Sequence, residues 1–298
     1  MAVWHECLPR DLVSLVCSYA LNDEPEDALL QAAADGNEWG AHWLAREYVI
    51  TREGLREADG YAVLIGVCEK GHLALAQWLV ARFGLELRDV RDEDGDDEDN
   101  AFLHACANNH LEVAQWLAKT FGPSIAGVHI RDGRLLRDAC KLGHLAVARW
   151  LTEAFGLTAA DARATYDDGG DALAASCAEG RLAEAQWIVA EFGLTANDAR
   201  KDCNCALRAA CHNGHLAVAK WLVATFGLTE ADARAYDNYA LQWACRGGHI
   251  DVAHWLAGAF GLTAANVDLE DPGRQIVERY WRRASLDQYV AWLLGAQN

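Results

Sequence analysis

One tryptophan frame recurs along the chain and constrains the fold more than any other feature. Trp43, Trp78, Trp116, Trp150, Trp187, Trp221 and Trp255 stand 35, 38, 34, 37, 34 and 34 residues apart. Five residues after each comes an aromatic: Tyr48, Phe83, Phe121, Phe155, Phe192, Phe226 and Phe260. Six residues before each comes a turn position, filled by His72, His110, His144, His215 and His249, with Asn37 and Arg181 in the first and fifth units. Self-similarity at such a period marks a stacked repeat array. Spacings within the frame never change, and all length variation falls after the aromatic. Rigid element pairs joined by variable loops give that pattern.

The sixth unit, Cys205 to Asn238, shows how each one folds. Leu207 and Cys211, four apart, predict one apolar face on a first helix. Gly214 supplies the positive φ that ends a helix. The second helix, HLAVAKWLVATF, is apolar at Leu216, Val218, Ala219, Trp221, Leu222 and Phe226. A stripe that wide suits a helix sandwiched between neighbouring units, with the tryptophan in the core. Gly227 ends it. Thr229-Glu-Ala-Asp232, Thr158-Ala-Ala-Asp161 and Thr195-Ala-Asn-Asp198 follow the capping-box spacing with Asp in place of Glu, so a short third helical turn is expected before the next unit.

Composition narrows the function classes. The 298 residues are 52% hydrophobic, enough for a core, and four prolines leave no obvious linker. Charged residues interrupt every apolar run before it could span a bilayer, and MAVWHECLPRDL lacks the basic and apolar regions of a signal peptide, so a cytoplasmic or nuclear protein is expected. Six of the ten cysteines (Cys68, Cys106, Cys140, Cys177, Cys211 and Cys245) share one register, as small buried fillers would, and neither metal binding nor disulfides are expected. A net charge of −18 argues against nucleic acid and against anionic membranes, both of which select cationic surfaces. It favours a basic partner wherever the partner is charged.

The ends depart from the frame. Leu12, Leu15, Val16 and Tyr19 have helical spacing behind Pro9, which predicts an amphipathic helix capping the first unit. Residues 272–298 carry Trp281, a Ser285-x-x-Gln288 capping signal and Tyr289, Val290, Trp292 and Leu293, and read as a degenerate last helix pair. The expected division is a cap over residues 1–26, seven repeats over 27–271 and a second cap over 272–298. The acidic run Asp92 to Asp99 reads as a solvated insertion, since its spacing does not fit a calcium loop.

The phrase NGHLAVAKWLV, with Gly214, His215, Leu216, Val218, Ala219, Lys220 and Leu222 in place, resembles the turn and second helix of an ankyrin repeat. The resemblance runs from Ala28 to about Asp271, in seven units, and implies an all-α solenoid of helix-turn-helix units. Cys205-Ala-Leu-Arg208 replaces the family's TPLH opening, and Phe-Gly-Leu-Thr replaces its Gly-Ala-Asp-Val-Asn hairpin. A helical or irregular connection is therefore expected where ordinary ankyrin arrays project a β-hairpin. The wording looks like divergent arrays of large DNA viruses of amoebae. At the other end, Leu8, Pro9, Leu12, Val16 and Tyr19 resemble the opening of an F-box, which implies docking on a Skp-type adaptor of a cullin ubiquitin ligase, with the array recruiting the substrate.

No motif of a known catalytic set occurs, so neither enzyme activity nor a cofactor is expected. The register histidines, a whole repeat apart, stand about 10 Å from one another and cannot share a metal; hydrogen bonding at the turn is their expected role. The resemblance implies that the first helices face a concave surface that grips protein partners. There Arg134, Arg137, Lys141, Arg208, His212, Gln242 and Arg246 would form a basic stripe on an acidic chain, suited to an acidic or phosphorylated segment.

Overall fold

The computed structural model describes residues 25–57, 60–87, 100–126, 133–165 and 170–262. Every regular element among them is helical. The chain divides into two compact units, residues 1–130 and 131–298. The expected terminal caps, apart from Pro25 and Glu26 in the first of them, and the acidic run 92–99 lie outside the described residues.

In the first unit three helix pairs follow one another. These are α1 (Pro25–Ala34) with α2 (Glu38–Glu47), α4 (Gly60–Glu69) with α5 (Leu73–Phe83), and α6 (Ala101–Ala107) with α7 (Leu111–Phe121). A short α3 (Arg52–Glu57) and a 3-10 turn (Pro123–Ala126) form connections. The second unit holds four pairs: α8 (Arg134–Leu142) with α9 (Leu145–Phe155), α11 (Ala172–Ala178) with α12 (Leu182–Phe192), α14 (Lys201–His212) with α15 (Leu216–Phe226), and α17 (Ala235–Arg246) with α18 (Ile250–Phe260). Three single-turn helices, α10 (Ala159–Ala162), α13 (Ala196–Ala199) and α16 (Glu230–Ala233), link them. First helices pack in order, α8 on α11, α11 on α14 and α14 on α17, so that each buries its apolar face against its neighbours.

The core follows the frame residue by residue. On the first helices Leu29, Leu64, Phe102, Leu136, Leu173, Leu207 and Leu241 are buried, and the register cysteines beside them are free thiols, also buried. Burial pushes the Cys68 and Cys245 thiols up to about 12, and it raises those of Cys106, Cys140, Cys177 and Cys211 well above the ordinary value too. On the second helices the deepest position is the one after the tryptophan: Leu44, Leu79, Leu117, Leu151, Ile188, Leu222 and Leu256. Each such side chain contributes about 1.5–3 kcal/mol.

The tryptophans themselves correct an expectation. Only Trp187 counts as buried; the other six are half-buried at the rim of the core. The reason is size. The adjacent leucine already fills the interior at native packing density, and an indole has room only along the flank. There each register tryptophan lies edge-to-face against the aromatic five residues on, as in Trp221–Phe226 with centroids 6.0 Å apart. Such a pair adds about 0.5–1.5 kcal/mol beyond its buried area.

The Phe-Gly-Leu-Thr phrase is a helix terminator and a helix starter in four residues. Gly227, at φ 59°, takes the left-handed conformation that closes α15, and the Leu228 N–H donates to the Val223 carbonyl. Leu228 is buried, the apolar contact that accompanies this kind of stop. Thr229 then opens α16. Its N–H and its hydroxyl donate to Asp232 Oδ2 at 2.8 and 3.0 Å, completing the capping box the spacing predicts. The same boxes form at Thr158–Asp161 and Thr195–Asp198.

The box carries a second link that spans repeats. The residue closing each short helix is an arginine. Arg163 donates through Nε and Nη2 to both oxygens of Asp198 at 2.6 and 3.2 Å, and Arg200 grips Asp232 in the same way at 2.8 and 3.2 Å. The Arg163 fork, with help from the Thr195 donors and against partial desolvation, holds the Asp198 carboxyl at about 2. At Asp232 desolvation pushes upward, but the Arg200 fork and the Thr229 donors outweigh it and leave the carboxyl below its ordinary value. Between α13 and the regular part of α14, Asp202, Cys203 and Asn204 form a left-handed turn at φ 49°, 56° and 61°, and the Asn204 amide ties it to the Asp232 carbonyl at 3.3 Å.

The histidines hold neighbouring turns together. The rings of His72, His110, His215 and His249 lie against the turn glycine of the preceding repeat, Gly36, Gly71, Gly180 and Gly214. At His215 the expected hydrogen bond is present, Nε2 lying 3.0 Å from the Ala178 carbonyl.

Candidate functional site

Basic residues are distributed unevenly over the first helices. None of α1, α4 and α6 in the first unit contains Lys or Arg. In the second unit α8 carries Arg134, Arg137 and Lys141, α14 carries Lys201 and Arg208, and α17 carries Arg246. The helix between, α11, is ALAASCA; at the positions of Arg208 and His212 it has Ala174 and Ala178.

The structure sorts the seven candidates into two groups. Arg208, His212 and Arg246 are drawn together around two rings of α17, Tyr239 and Trp243. The Arg208 guanidinium carbon lies 4.9 Å from the Tyr239 ring centre. The His212 imidazole stacks on Trp243 with centroids 4.5 Å apart and planes 9° from parallel. Arg246 lies 5.2 Å from the same indole, and Tyr239 and Trp243 are themselves 5.3 Å apart. Helical spacing makes this possible. Arg208 and His212 are four apart on one face of α14, Tyr239 and Trp243 four apart on one face of α17, and the two helices pack side by side. Gln242, half-buried, shares α17 with them.

The α8 group stands apart. Arg134 and Lys141 are half-buried, and Arg137 is only 7% exposed, with Nη1 3.6 Å from Asp138. Arg137 therefore offers little to an approaching partner. With α11 between α8 and α14, two interaxial steps of about 8–10 Å separate the groups. The adaptor-docking candidates Leu8, Pro9, Leu12, Val16 and Tyr19 lie outside the described residues.

Residues 203–212 and 238–246 contain no Asp or Glu, and Asp202 and Asp237 stand immediately before them. Burial raises the Cys205 thiol, with smaller upward contributions from Asp171 and Asp202, while the Arg208 donor pulls it down. Asp171 is itself raised by burial, against the Ala174 N–H and Lys201. Among the described residues no cluster of His, Cys, Asp and Glu could hold a metal ion, and no helix is long and apolar enough to cross a membrane.

A family model described as Ankyrin repeats (3 copies) matches residues 64–161 and again 173–271, well over half of the chain. The chain belongs to the ankyrin-repeat family. No curated protein sequence matches it. Ankyrin repeats generally mediate protein–protein interaction, and the family is typically a non-enzymatic interaction module.

Tyr239 and Trp243 belong to the candidate site without belonging to the repeat frame. Alignment by the tryptophan frame places Ala209 and Ala175 at the Trp243 position in the two preceding repeats, so the residue looks like an isolated oddity. The signal was available in the pairing of two aromatics four apart with an arginine and a histidine one repeat earlier. In this ankyrin array the second-helix tryptophans set the period, and Trp243, outside the period, anchors the candidate site.

Proposed function

We propose that this ankyrin array is a protein-interaction scaffold without chemistry of its own, and that its partner lies along the first-helix face of residues 131–298. The observation that carries this reading is the assembly of Arg208, His212 and Arg246 on Tyr239 and Trp243, a cationic site on a chain of net charge −18. A rigid surface of packed helices binds with little ordering cost, so a modest contact area suffices. The partner segment is anionic, because cations held this way recognise carboxylate or phosphate. The six buried free thiols of the register support a reducing compartment, in keeping with a cytoplasmic protein.

The test is partner capture from the native cell with Arg208→Glu and Arg246→Glu combined. Arg137 is left intact, since reversing a charge that is 7% exposed would test folding instead. Loss of the partner with helicity intact supports the reading; undiminished capture overturns it.

A second reading comes from the sequence of the first segment. There Leu8, Pro9, Leu12, Val16 and Tyr19 would dock a Skp-type adaptor, making the array the substrate-recruiting part of a cullin-type ubiquitin ligase. Adaptor co-purification that depends on residues 1–21 supports it, and co-purification that survives their deletion ends it.

A further inference from the structure

The first repeat carries an aromatic strip that the frame does not call for. Trp39, on α2, stacks on Trp43 with centroids 6.4 Å apart and planes 11° from parallel, and Trp43 meets Tyr48 edge-on at 6.1 Å. Trp39 is 37% exposed, and Tyr48 and Val49 are exposed beyond it. In the six later repeats the position four before the register tryptophan holds Ala74, Glu112, Ala146, Ala183, Ala217 and Asp251, all of them exposed. The first repeat alone puts a large apolar side chain there. A contiguous apolar strip of this kind marks a surface that another element covers.

We propose that residues 8–21 of this same chain, which lie outside the described residues, cover it as a half repeat, with Leu12, Leu15, Val16 and Tyr19 packed on Trp39 and Trp43.

The array itself shows which side lacks a cover. Where a repeat precedes, the residue before its tryptophan lies on the next tryptophan. The His42 ring is 4.1 Å from Trp78, and the Arg149 guanidinium carbon is 5.9 Å from Trp187. Trp43 is the first of the series, so in chain order its cover falls before Pro25.

Reach favours the same segment. Helix α1 begins at Pro25 and packs on α2. The Glu26 carboxylate lies against Gly54, so the start of α1 sits beside the chain that leaves α2. A helix entering α1 there through residues 22–24 lies alongside α2 and runs in its direction. Fourteen helical residues measure about 21 Å, against about 15 Å for the ten of α2, which is enough to span the strip.

The chemistry matches as well. Leu12, Leu15, Val16 and Tyr19 fall on one side of a helix and need an apolar surface to bury it. A free partner or a second copy lacks the covalent tether, which holds this segment at an effective concentration in the millimolar range.

This capping is independent of the scaffold reading, and it sets a condition on adaptor docking. Leu12, Val16 and Tyr19 cannot pack on Trp39 and on an adaptor together, so the segment docks only after leaving α2.

Hydrogen exchange on the full chain, read by mass spectrometry, tests the assignment. Amides of residues 10–21 are expected to exchange at least about 100-fold more slowly than in a free peptide of that sequence, at every protein concentration. Trp39→Asp, which places there the acid that Asp251 supplies in the seventh repeat, should cut that protection at least about tenfold and leave α4 and α5 unchanged. From the other side, Leu15→Asp combined with Val16→Asp should raise hydroxyl-radical labelling of Trp39 without loss of helicity in the repeats. Residues 10–21 exchanging as fast as the free peptide overturn the proposal, as does protection that Trp39→Asp leaves unchanged or Trp39 labelling that the paired variant leaves unchanged. Protection that grows with protein concentration assigns the strip to a second copy, and protection that appears only with a Skp-type adaptor assigns the segment to docking; either result overturns the capping.

Discussion

Asp198→Asn isolates the link between one repeat and the next. Asp198 accepts from the Thr195 N–H at 2.7 Å and the Thr195 hydroxyl at 3.0 Å, and it also receives the Arg163 fork. Asparagine keeps one acceptor for the Thr195 N–H but carries no charge for the guanidinium. The carboxyl is held at about 2 against an ordinary value of 3.8, a difference worth about 2 kcal/mol if fully expressed. The Arg163 side chain is 37% exposed, so solvent screening reduces this, and about 1 kcal/mol at pH 7 is the expected loss. The sign is fixed by the direction of the shift. A carboxyl lowered in the folded state stabilises above its unfolded value and loses that contribution as the pH falls through about 4 towards 2. The difference between parent and variant, read from urea midpoints at each pH, should therefore shrink to near zero at pH 2. A double-mutant cycle with Arg163→Ala should return a coupling of about 0.5–1 kcal/mol at pH 7. A difference that is constant from pH 7 to pH 2, or a coupling of zero, would refute the argument that the ion pair joins the repeats.

The remaining predictions concern the frame. Gly214→Ala drives a Cβ into the His249 ring at a φ of +79°, and a loss of about 2 kcal/mol or more in thermal unfolding is expected; adding His249→Ala should recover the steric part but not the backbone part. Leu222→Ala should cost about 2–5 kcal/mol, whereas the larger change Trp221→Leu should cost about 1–2, because the tryptophan is at the rim and the leucine in the interior. Among the described cysteines, Cys203 should react first with a thiol reagent at pH 8 and Cys205 more slowly. The six register thiols should react only on unfolding, as mass-mapping of the labelled sites would show.

The helices were legible because their signals are local. The tryptophan frame marks each pair, Gly-His marks each turn, and Thr-x-x-Asp marks each short third helix, which the structure reproduces at Thr158, Thr195 and Thr229. The tryptophan's place at the rim was not legible. Apolar periodicity gives a face but not the depth at which each side chain stops, and Trp221 and Leu222 are neighbours on the same stripe. The Arg163–Asp198 and Arg200–Asp232 forks were hidden for a different reason. Their partners are 35 and 32 residues apart, and the arginine looks like an ordinary positive charge at the end of a helix. The candidate stripe was readable as a set of positions. Its division into two groups depends on α11 lying between α8 and α14, and the burial of Arg137 depends on packing that no residue type announces.

The Thr-x-x-Asp-Ala-Arg turn gives the second unit a direction. The middle copy, Thr195 to Arg200, gives its carboxylate to the repeat before it and its guanidinium to the repeat after it, so these neighbouring repeats join as plug and socket of a single gauge. A segment cut from Arg163 to Ala199 would carry one complete plug and one complete socket. Duplicating it in place should lengthen the array without any new joint having to be invented, and reversing its order has no mate to meet. A lineage carrying such a turn can grow or shrink by whole repeats while leaving Tyr239 and Trp243 untouched.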